Sequence, residues 1–309
     1  MTPFIISGSG HPALASAMAR DLAGNIDRVV ERFPDGELHV SISGARGRDV
    51  FVVQPLAGTI GDSLLELMLI ADACNRSGAL SVAAVVPYLG YARQERRTGE
   101  GQPLGAAVVA RMFSAGRWSR VITIDLHAPA VEGFFAAPVD HLTAVPILAD
   151  ALETTRDDDD VVVAPDLGAA KLARRYAKRL KLPVAIVHKT RVSSSEVAAE
   201  DISGSVRGRR PILVDDMIST GGTIAEALRA VLAAGARPEA IVAATHGLFV
   251  GPAEERLRAL PITRLLVSDT LPIVPGPLPM EVVSVAPLLA TAVRRIAEAQ
   301  PLGDLLAAT

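Results

Sequence analysis

The chain has 309 residues, half of them hydrophobic and 21% charged, with a net charge of −3. That length is more than one core ordinarily spans, so two domains are expected, and the charge gives no electrostatic reason for a nucleic-acid partner. The one cysteine, Cys74, excludes an internal disulfide and fits a reducing cytoplasm.

The opening stretch MTPFIISGSGHPALASAMAR has no basic leader and its apolar run stops at Ser7, so no signal peptide is expected. No apolar run reaches the roughly 18 residues of a membrane span, so no membrane partner is expected either. Short β-branched runs then recur as DVFVVQP (49–55), SVAAVVPY (81–88), RVITIDL (120–126), DVVVAPD (160–166), LPVAIV (182–187), PILVDD (211–216), AIVAATH (240–246) and TRLLVSD (263–269). Alanine- and leucine-rich helical patterns lie between them at 62–77, 103–115, 168–181 and 223–234. This alternation predicts α/β domains, each a mostly parallel sheet flanked by helices, with ligand sites in the loops after the strand C-termini. The acidic run at 157–160 reads as a solvated turn, and SSSEVAAEDISGS (193–205) as a polar mobile loop and a plausible lid.

Residues 46–80 line up without gaps on 207–241, both beginning RGR, and RVITID (120–125) echoes RLLVSD (264–269). Two similar domains related by internal duplication are expected, residues 1–142 with a C-terminal helix 288–309 in one and 143–287 in the other. In this register Asp215 and Asp216 match Gln54 and Pro55, and Thr223 matches Asp62, so only the second copy keeps an acidic pair.

That pair stands in VDDMISTGGT (214–223), at the end of an apolar strand and the start of a helix. Gly221 and Gly222 let several backbone N–H groups face one anion, Ser219, Thr220 and Thr223 add hydroxyls, and the helix N-terminus adds partial positive charge. The chain has no GxxxxGK[ST] motif, so this is not a Walker loop. A capped strand–turn–helix is the plainer alternative, but it leaves the paired acids unexplained. A sugar phosphate explains both halves: the phosphate sits at the glycines, and Asp215 and Asp216 accept hydrogen bonds from hydroxyls or hold Mg2+.

An acidic pair followed by T-G-G-T resembles the site for 5-phosphoribosyl 1-diphosphate. Further stretches resemble the ribose-phosphate diphosphokinase (phosphoribosyl pyrophosphate synthetase) family: RFPDGELHV (32–40), PYLGYARQERR (87–97), ITIDLHAPAVEGFF (122–135), PVDHL (138–142), VAPDLGAAKLARR (163–175), HKTR (188–191) and SVAPLLATAVRRI (284–296). They span nearly the whole chain in the family's order. The resemblance implies that Phe33, Asp35 and Glu37 contact the adenine of ATP on a neighbouring subunit, hence a homo-oligomer with shared sites, a dimer at least and commonly a hexamer. Alone, FPDGE would read as a hairpin turn, and ARQERR as a solvated face. By resemblance Arg93 and Gln94 bind the ATP phosphates, and an arginine fork suits that task.

The resemblance makes His127 and Asp166 ligands of the ATP-bound Mg2+. Thr123, Asp125 and His127 alternate along one strand face, whereas Asp166 alone would read as a helix N-cap. Lys189 and Arg191, two apart and hence on one side of an extended segment, would fold over the transferring group; alone they would read as a basic edge strand. The implied reaction is attack of the 1-hydroxyl of ribose 5-phosphate on the β-phosphorus of ATP, giving 5-phosphoribosyl 1-diphosphate and AMP. Two alternatives stay open: a phosphoribosyltransferase, which consumes that product, and a non-catalytic regulatory paralogue. Ser219 stands where most bacterial-type members carry Asp, and RRTGEGQP (96–103) is less basic than its counterpart in the ADP-binding regulatory site. These departures resemble the archaeal-type subgroup and imply weak ADP regulation.

Overall fold

A computed structural model describes residues 3–28, 30–188, 201–274 and 276–307. The chain divides into two compact units, Met1–Thr143 with Thr270–Pro272 and Ser284–Thr309, and Ala144–Asp269 with Ile273–Val283.

The first unit runs β1 (Phe4–Ser7), α1 (Pro12–Asp21), β2 (Asn25–Arg28), β3 (Val30–Arg32), β4 (Leu38–Val40), β5 (Asp49–Val53), α2 (Ile60–Arg76), β6 (Ser81–Val85), α3 (Gly105–Phe113), β7 (Arg120–Ile124) and β8 (Val139–Leu142). Six strands form one parallel sheet in the order β2-β1-β5-β6-β7-β8, while β3 and β4 form a separate antiparallel hairpin. Four of the five β5 residues are buried, as expected of a strand covered on both faces. On α2, Leu64, Leu67, Ile70, Ala71 and Cys74 recur at helical spacing and enter the core with Phe4, Val52, Phe113 and Val121.

The second unit runs α4 (Val145–Glu153), β9 (Asp160–Ala164), α5 (Ala170–Leu180), β10 (Val184–His188), β11 (Asp201–Ser203), β12 (Arg210–Ile218), α6 (Gly222–Ala233), β13 (Ala240–Gly247), α7 (Ala253–Arg258), β14 (Ile262–Ser268) and β15 (Met280–Val283). Its sheet order is β11-β10-β9-β12-β13-β14-β15, parallel except for β11 on the edge. Leaving β11 aside, both units place their strands in the same 2-1-3-4-5-6 order, which is the architecture expected of a duplicated α/β domain. The core gathers Val161, Val163, Leu213, Leu228, Val242 and Leu265. Among the described residues, no helix is long and apolar enough to cross a membrane.

The final helix α8 (Ala286–Ala297) belongs to the first unit, where the Arg294 guanidinium donates to the Asp21 carbonyl at 2.8 Å at the end of α1. Helix over the whole of 288–309 is corrected: Ala299 takes φ +53°, Pro301 follows, and the tail instead lies along β8. There Thr143 N–H donates to Leu305 O at 3.1 Å and Ala307 N–H to His141 O at 2.7 Å, covering an otherwise open sheet edge.

Three further expectations are corrected. The ungapped repeat holds through the strands but fails in the helix, because α2 has 17 residues and α6 has 12. The bond from Gly47 N–H to Gly78 O, with Arg46 against Gly78, recurs as Gly208 N–H to Gly235 O with Arg207 against Gly235. The second pair is four residues closer in sequence, so the copies differ by about one helical turn. Asp201–Ser203, read as part of a loop, is β11 and pairs with β10; residues 189–200 lie outside the described residues.

The third correction concerns Asp160, which is no solvated turn residue. It is fully buried at the start of β9 and takes Arg210 Nε at 2.6 Å and Nη2 at 2.9 Å, plus the Asp157 N–H at 2.8 Å. The sequence places it last in an acidic run, but the strand begins there and the next strand supplies its cation. Asp160→Ala leaves that guanidinium without its partner, so urea unfolding should show a loss of about 3 kcal/mol. A loss below about 1 kcal/mol would mean that water replaces the pair.

Candidate active site

In the second unit β12 continues through Asp215 and Asp216 to Ile218 before the chain turns into α6. The turn is made by Gly221, with φ +71° and ψ 0°, a left-handed conformation that an L side chain rarely adopts. Carbonyls on the outer side are occupied: Ser219 O accepts from Val250 N–H at 3.0 Å, and Thr220 O from Arg256 Nη1 at 3.1 Å. In a trans peptide the N–H points opposite to its C=O, so the N–H groups of Thr220 and Gly221 face the other way. No side chain of the cap residue binds the first turn of α6. With a glycine as cap, that residue supplies no side chain to its first amides, which is the backbone arrangement an anion site uses.

Asp215 keeps part of its surface open, yet protein atoms surround its carboxyl. Its pKa is raised well above the ordinary carboxylate value, first by that desolvation, then by the charge and hydrogen bonding of Asp216, and then by the charge of Asp166. One backbone bond, from Asp216 N–H at 2.9 Å, opposes the shift and does not cancel it. Asp166 sits in the turn after β9, one oxygen accepting the Ala169 N–H at 3.1 Å just ahead of α5. The helix-cap reading of Asp166 is thus met in part, and its charge still reaches Asp215. The unit joins a glycine turn to a carboxyl, Asp215, that is held up in pKa among its acidic neighbours, a strain that hydroxyl donors or a cation would relieve.

The equivalent place in the first unit is filled by the chain itself. Gln54, fully buried, accepts Gly10 N–H at 2.8 Å, and the Glu66 carboxylate accepts Ser9 N–H and Ser9 Oγ–H, both at 2.5 Å. By strand register Gln54 stands where Asp215 stands. Glu66 lies within α2, where hydrophobic periodicity gives no hint that an acid points inward.

The other sequence-predicted residues of the first unit fall on loops and on the hairpin. Phe33 is 46% exposed at the tip of β3–β4, its ring 5.1 Å from that of His39, with Phe33 N–H donating to Glu37 O at 2.8 Å. Asp35 Oδ1 accepts the Glu37 N–H at 3.1 Å, which sets the turn. Arg93 and Gln94 are exposed in the turn after β6, and the Gln94 side chain lies over Gly105 at the start of α3. A Cβ at Gly105 would sit 2.4 Å from Gln94 Oε1, so a larger residue there would have to displace the exposed Gln94 side chain. His127 is exposed beyond β7, but the expected shared face with Thr123 and Asp125 is corrected. The strand ends at Ile124, Asp125 takes φ +37°, and Thr123 and Asp125 are buried. Lys189 and Arg191 lie outside the described residues. Among the described residues no group of three or more His, Cys, Asp or Glu side chains is placed to hold a metal ion alone. A divalent cation would need ligand oxygens too, which is how Mg2+ commonly binds beside phosphates.

Residues 4–116 match the family described as the N-terminal domain of ribose phosphate pyrophosphokinase, and residues 140–260 match the phosphoribosyl transferase domain. The chain is 42% identical to a ribose-phosphate pyrophosphokinase of Caldanaerobacter subterraneus, covering 97% of this chain and 96% of that one. It is 43% identical to one of Rhodopirellula baltica, with 97% of each chain covered. Among solved structures it is similar to phosphoribosylpyrophosphate synthetase from Mycobacterium smegmatis, with a TM-score of 0.90 and 34% identity over 97% of this chain and all of that one.

Proposed function

Because the chain belongs to the ribose-phosphate pyrophosphokinase family, we propose how its residues share out that reaction, the transfer of the diphosphoryl group of ATP to ribose 5-phosphate. Asp215 and Asp216 accept hydrogen bonds from the ribose hydroxyls, and the turn Ser219–Thr223 holds the 5-phosphate. Phe33, Asp35 and Glu37 hold adenine, Arg93 and Gln94 the nucleotide phosphates, and Lys189 and Arg191 the charge that builds up during transfer. The observation that carries this assignment is Asp215 itself. Its carboxyl is forced up in pKa on the strand that leads into the glycine turn at the start of α6, which supports a ligand offering hydroxyl donors or a cation to the acids and an anion to the turn. A site for phosphate alone would gain nothing from those acids, whereas a sugar phosphate uses both.

Mg2+ would be held jointly with the substrates, with His127 of the first unit and Asp166 of the second each proposed as a protein ligand to it, because the described side chains form no metal-holding group by themselves. When bound, the ion lowers the pKa of the attacking hydroxyl and spreads the phosphate charge. The hydrogen-bond acceptors on the sugar and the amides at its phosphate hold the 1-hydroxyl in line, and positioning supplies much of the rate. The exposed Phe33 at a hairpin tip supports a homo-oligomer in which the adenine pocket is shared, a dimer at least and a hexamer as the fuller form. Cys74, buried and with its thiol pushed up to about 12 by that burial, supports a cytoplasmic protein with no disulfide.

Incubation with Mg-ATP and ribose 5-phosphate should release AMP and 5-phosphoribosyl 1-diphosphate in equal amounts. Failure to form AMP, with consumption of added 5-phosphoribosyl 1-diphosphate and a base, would instead select the transferase alternative. Ser219 and the RRTGEGQP segment support weak ADP regulation. In the same assay, sigmoidal inhibition by ADP with activation by phosphate would contradict that.

A further inference from the structure

We propose that Glu132 and His141 form a positioning pair that fixes the turn carrying His127. The inference rests on the assignment of His127 to the nucleotide's metal ion. β7 ends at Ile124, and the next two amides are held from the neighbouring strand β8. Asp125 N–H donates to Leu142 O at 3.0 Å, and Leu126 N–H donates to His141 Nε2 at 2.8 Å. A backbone amide can only donate, so Nε2 accepts and the ring proton resides on Nδ1. Nδ1 lies 2.7 Å from Glu132 Oε1, and Glu132 is in the 3-10 helix Pro129–Phe134 that closes the same loop.

One buried imidazole therefore grips the loop on both sides of His127, at Leu126 by accepting and at Glu132 by donating. The imidazole is itself anchored: His141 O accepts Ala307 N–H from the C-terminal tail, and its side chain is 7% exposed. Asp125 carries φ +37° immediately before the turn, a conformation that persists where surrounding bonds over-determine it. A ligand on a loop loses its aim when the chain around it moves by a fraction of an ångström. Residues that hold metal ligands from behind typically matter about 10- to 100-fold in affinity or activity.

The test uses the full chain and compares His141→Leu, His141→Gln, Glu132→Ala and His127→Ala. His141→Leu should raise the KM for Mg-ATP about tenfold while the KM for ribose 5-phosphate stays put. His141→Gln, whose terminal carbonyl reaches where Nε2 stands, should recover most of that loss, and Glu132→Ala should shift the same constant less. In protein free of metal and nucleotide, amide exchange at Leu126 should quicken in His141→Leu and return toward the parent in His141→Gln. If His127→Ala weakens Mg-ATP and His141→Leu does not, the positioning pair is overturned and the His127 assignment survives. Unchanged Mg-ATP binding in His127→Ala would overturn that assignment instead. Equal losses in both substrates and in Tm, without rescue by glutamine, would reduce the pair to a structural tie and overturn the proposal. Should His141→Leu not fold, Glu132→Ala and His141→Gln still decide, because nucleotide KM and Leu126 exchange must move together in them.

Discussion

Asp215→Asn is expected to melt higher than the parent in the absence of ligands and to lose about a hundredfold in kcat/KM. The stability gain follows from a carboxyl whose pKa is raised in the fold by desolvation, by Asp216 and by Asp166. An aspartate in the unfolded chain titrates near its ordinary value of about 3.9. Between that value and the raised one, the folded state binds more protons than the unfolded state, so stability falls as pH rises through the interval. The parent loses that contribution progressively as pH climbs above the unfolded value, whereas asparagine keeps the hydrogen bonding and never takes the charge. Each kcal/mol recovered is worth about 2–4 °C in a domain of this general size. The gap between parent and variant should close toward pH 4, where the parent's carboxyl is protonated. The proton belongs to the coupled acids rather than to Asp215 alone, so Asp216→Asn should move melting in the same direction.

The same substitution should reverse the order once substrate is present. Saturating ribose 5-phosphate with Mg2+ stabilises only the form that binds it, so the parent should gain and the variant should not. Crossing of the two melting curves, ligand-free against saturated, is the decisive reading. An Asp215→Asn protein that melts at or below the parent at every pH would show that no ionic strain resides at this carboxyl. Full activity in the variant would remove Asp215 from the sugar site.

Why some of this was legible in the sequence and some was not comes down to the range over which each interaction acts. The strands β5, β9 and β12 are visible because parallel strands buried on both faces are continuous β-branched runs. VDDMISTGGT was legible for a local reason: acids, glycines and the helix start lie within ten residues, and the turn chemistry is contained in them. By contrast Asp160 meets Arg210 across 50 positions, and Glu66 meets Ser9 across 57. Neither pairing leaves a periodic trace. The left-handed Asp125 hid the end of β7, because alternation predicts strand geometry until some residue breaks it. Glu132 and His141 lie only nine apart, yet one is in a 3-10 helix and the other in a strand, so no single period relates them. The ungapped repeat misled because an inserted helical turn preserves the hydrophobic face and so hides in the pattern.

Lys189→Ala is expected to cut kcat about a thousandfold, with the KM for ribose 5-phosphate and Tm left near the parent's. The argument is one of charge. The side chains proposed to meet the ligand in the described part of the second unit include the carboxylates of Asp215, Asp216 and Asp166, whose charges act on one another at Asp215, and the proposed phosphate turn adds uncharged amides and hydroxyls. A diphosphoryl group moving between two oxygens carries its negative charge through the transition state, and acids on the acceptor side make that charge costlier to bring in. Cations that meet it during transfer act on the barrier far more than on ground-state binding, so their loss appears in kcat. Lys189 and its neighbour Arg191 are the cations assigned to that task. Arginine at position 189 should restore only part of the rate, because a planar fork replaces a compact ammonium without matching its reach. A metal ion brought in with the substrates would supply part of the neutralisation, which bounds the effect from above. A Lys189→Ala protein that turns over at the parent's rate would remove the lysine from the mechanism. A rise in the KM for ribose 5-phosphate with kcat unchanged would place it in sugar binding instead.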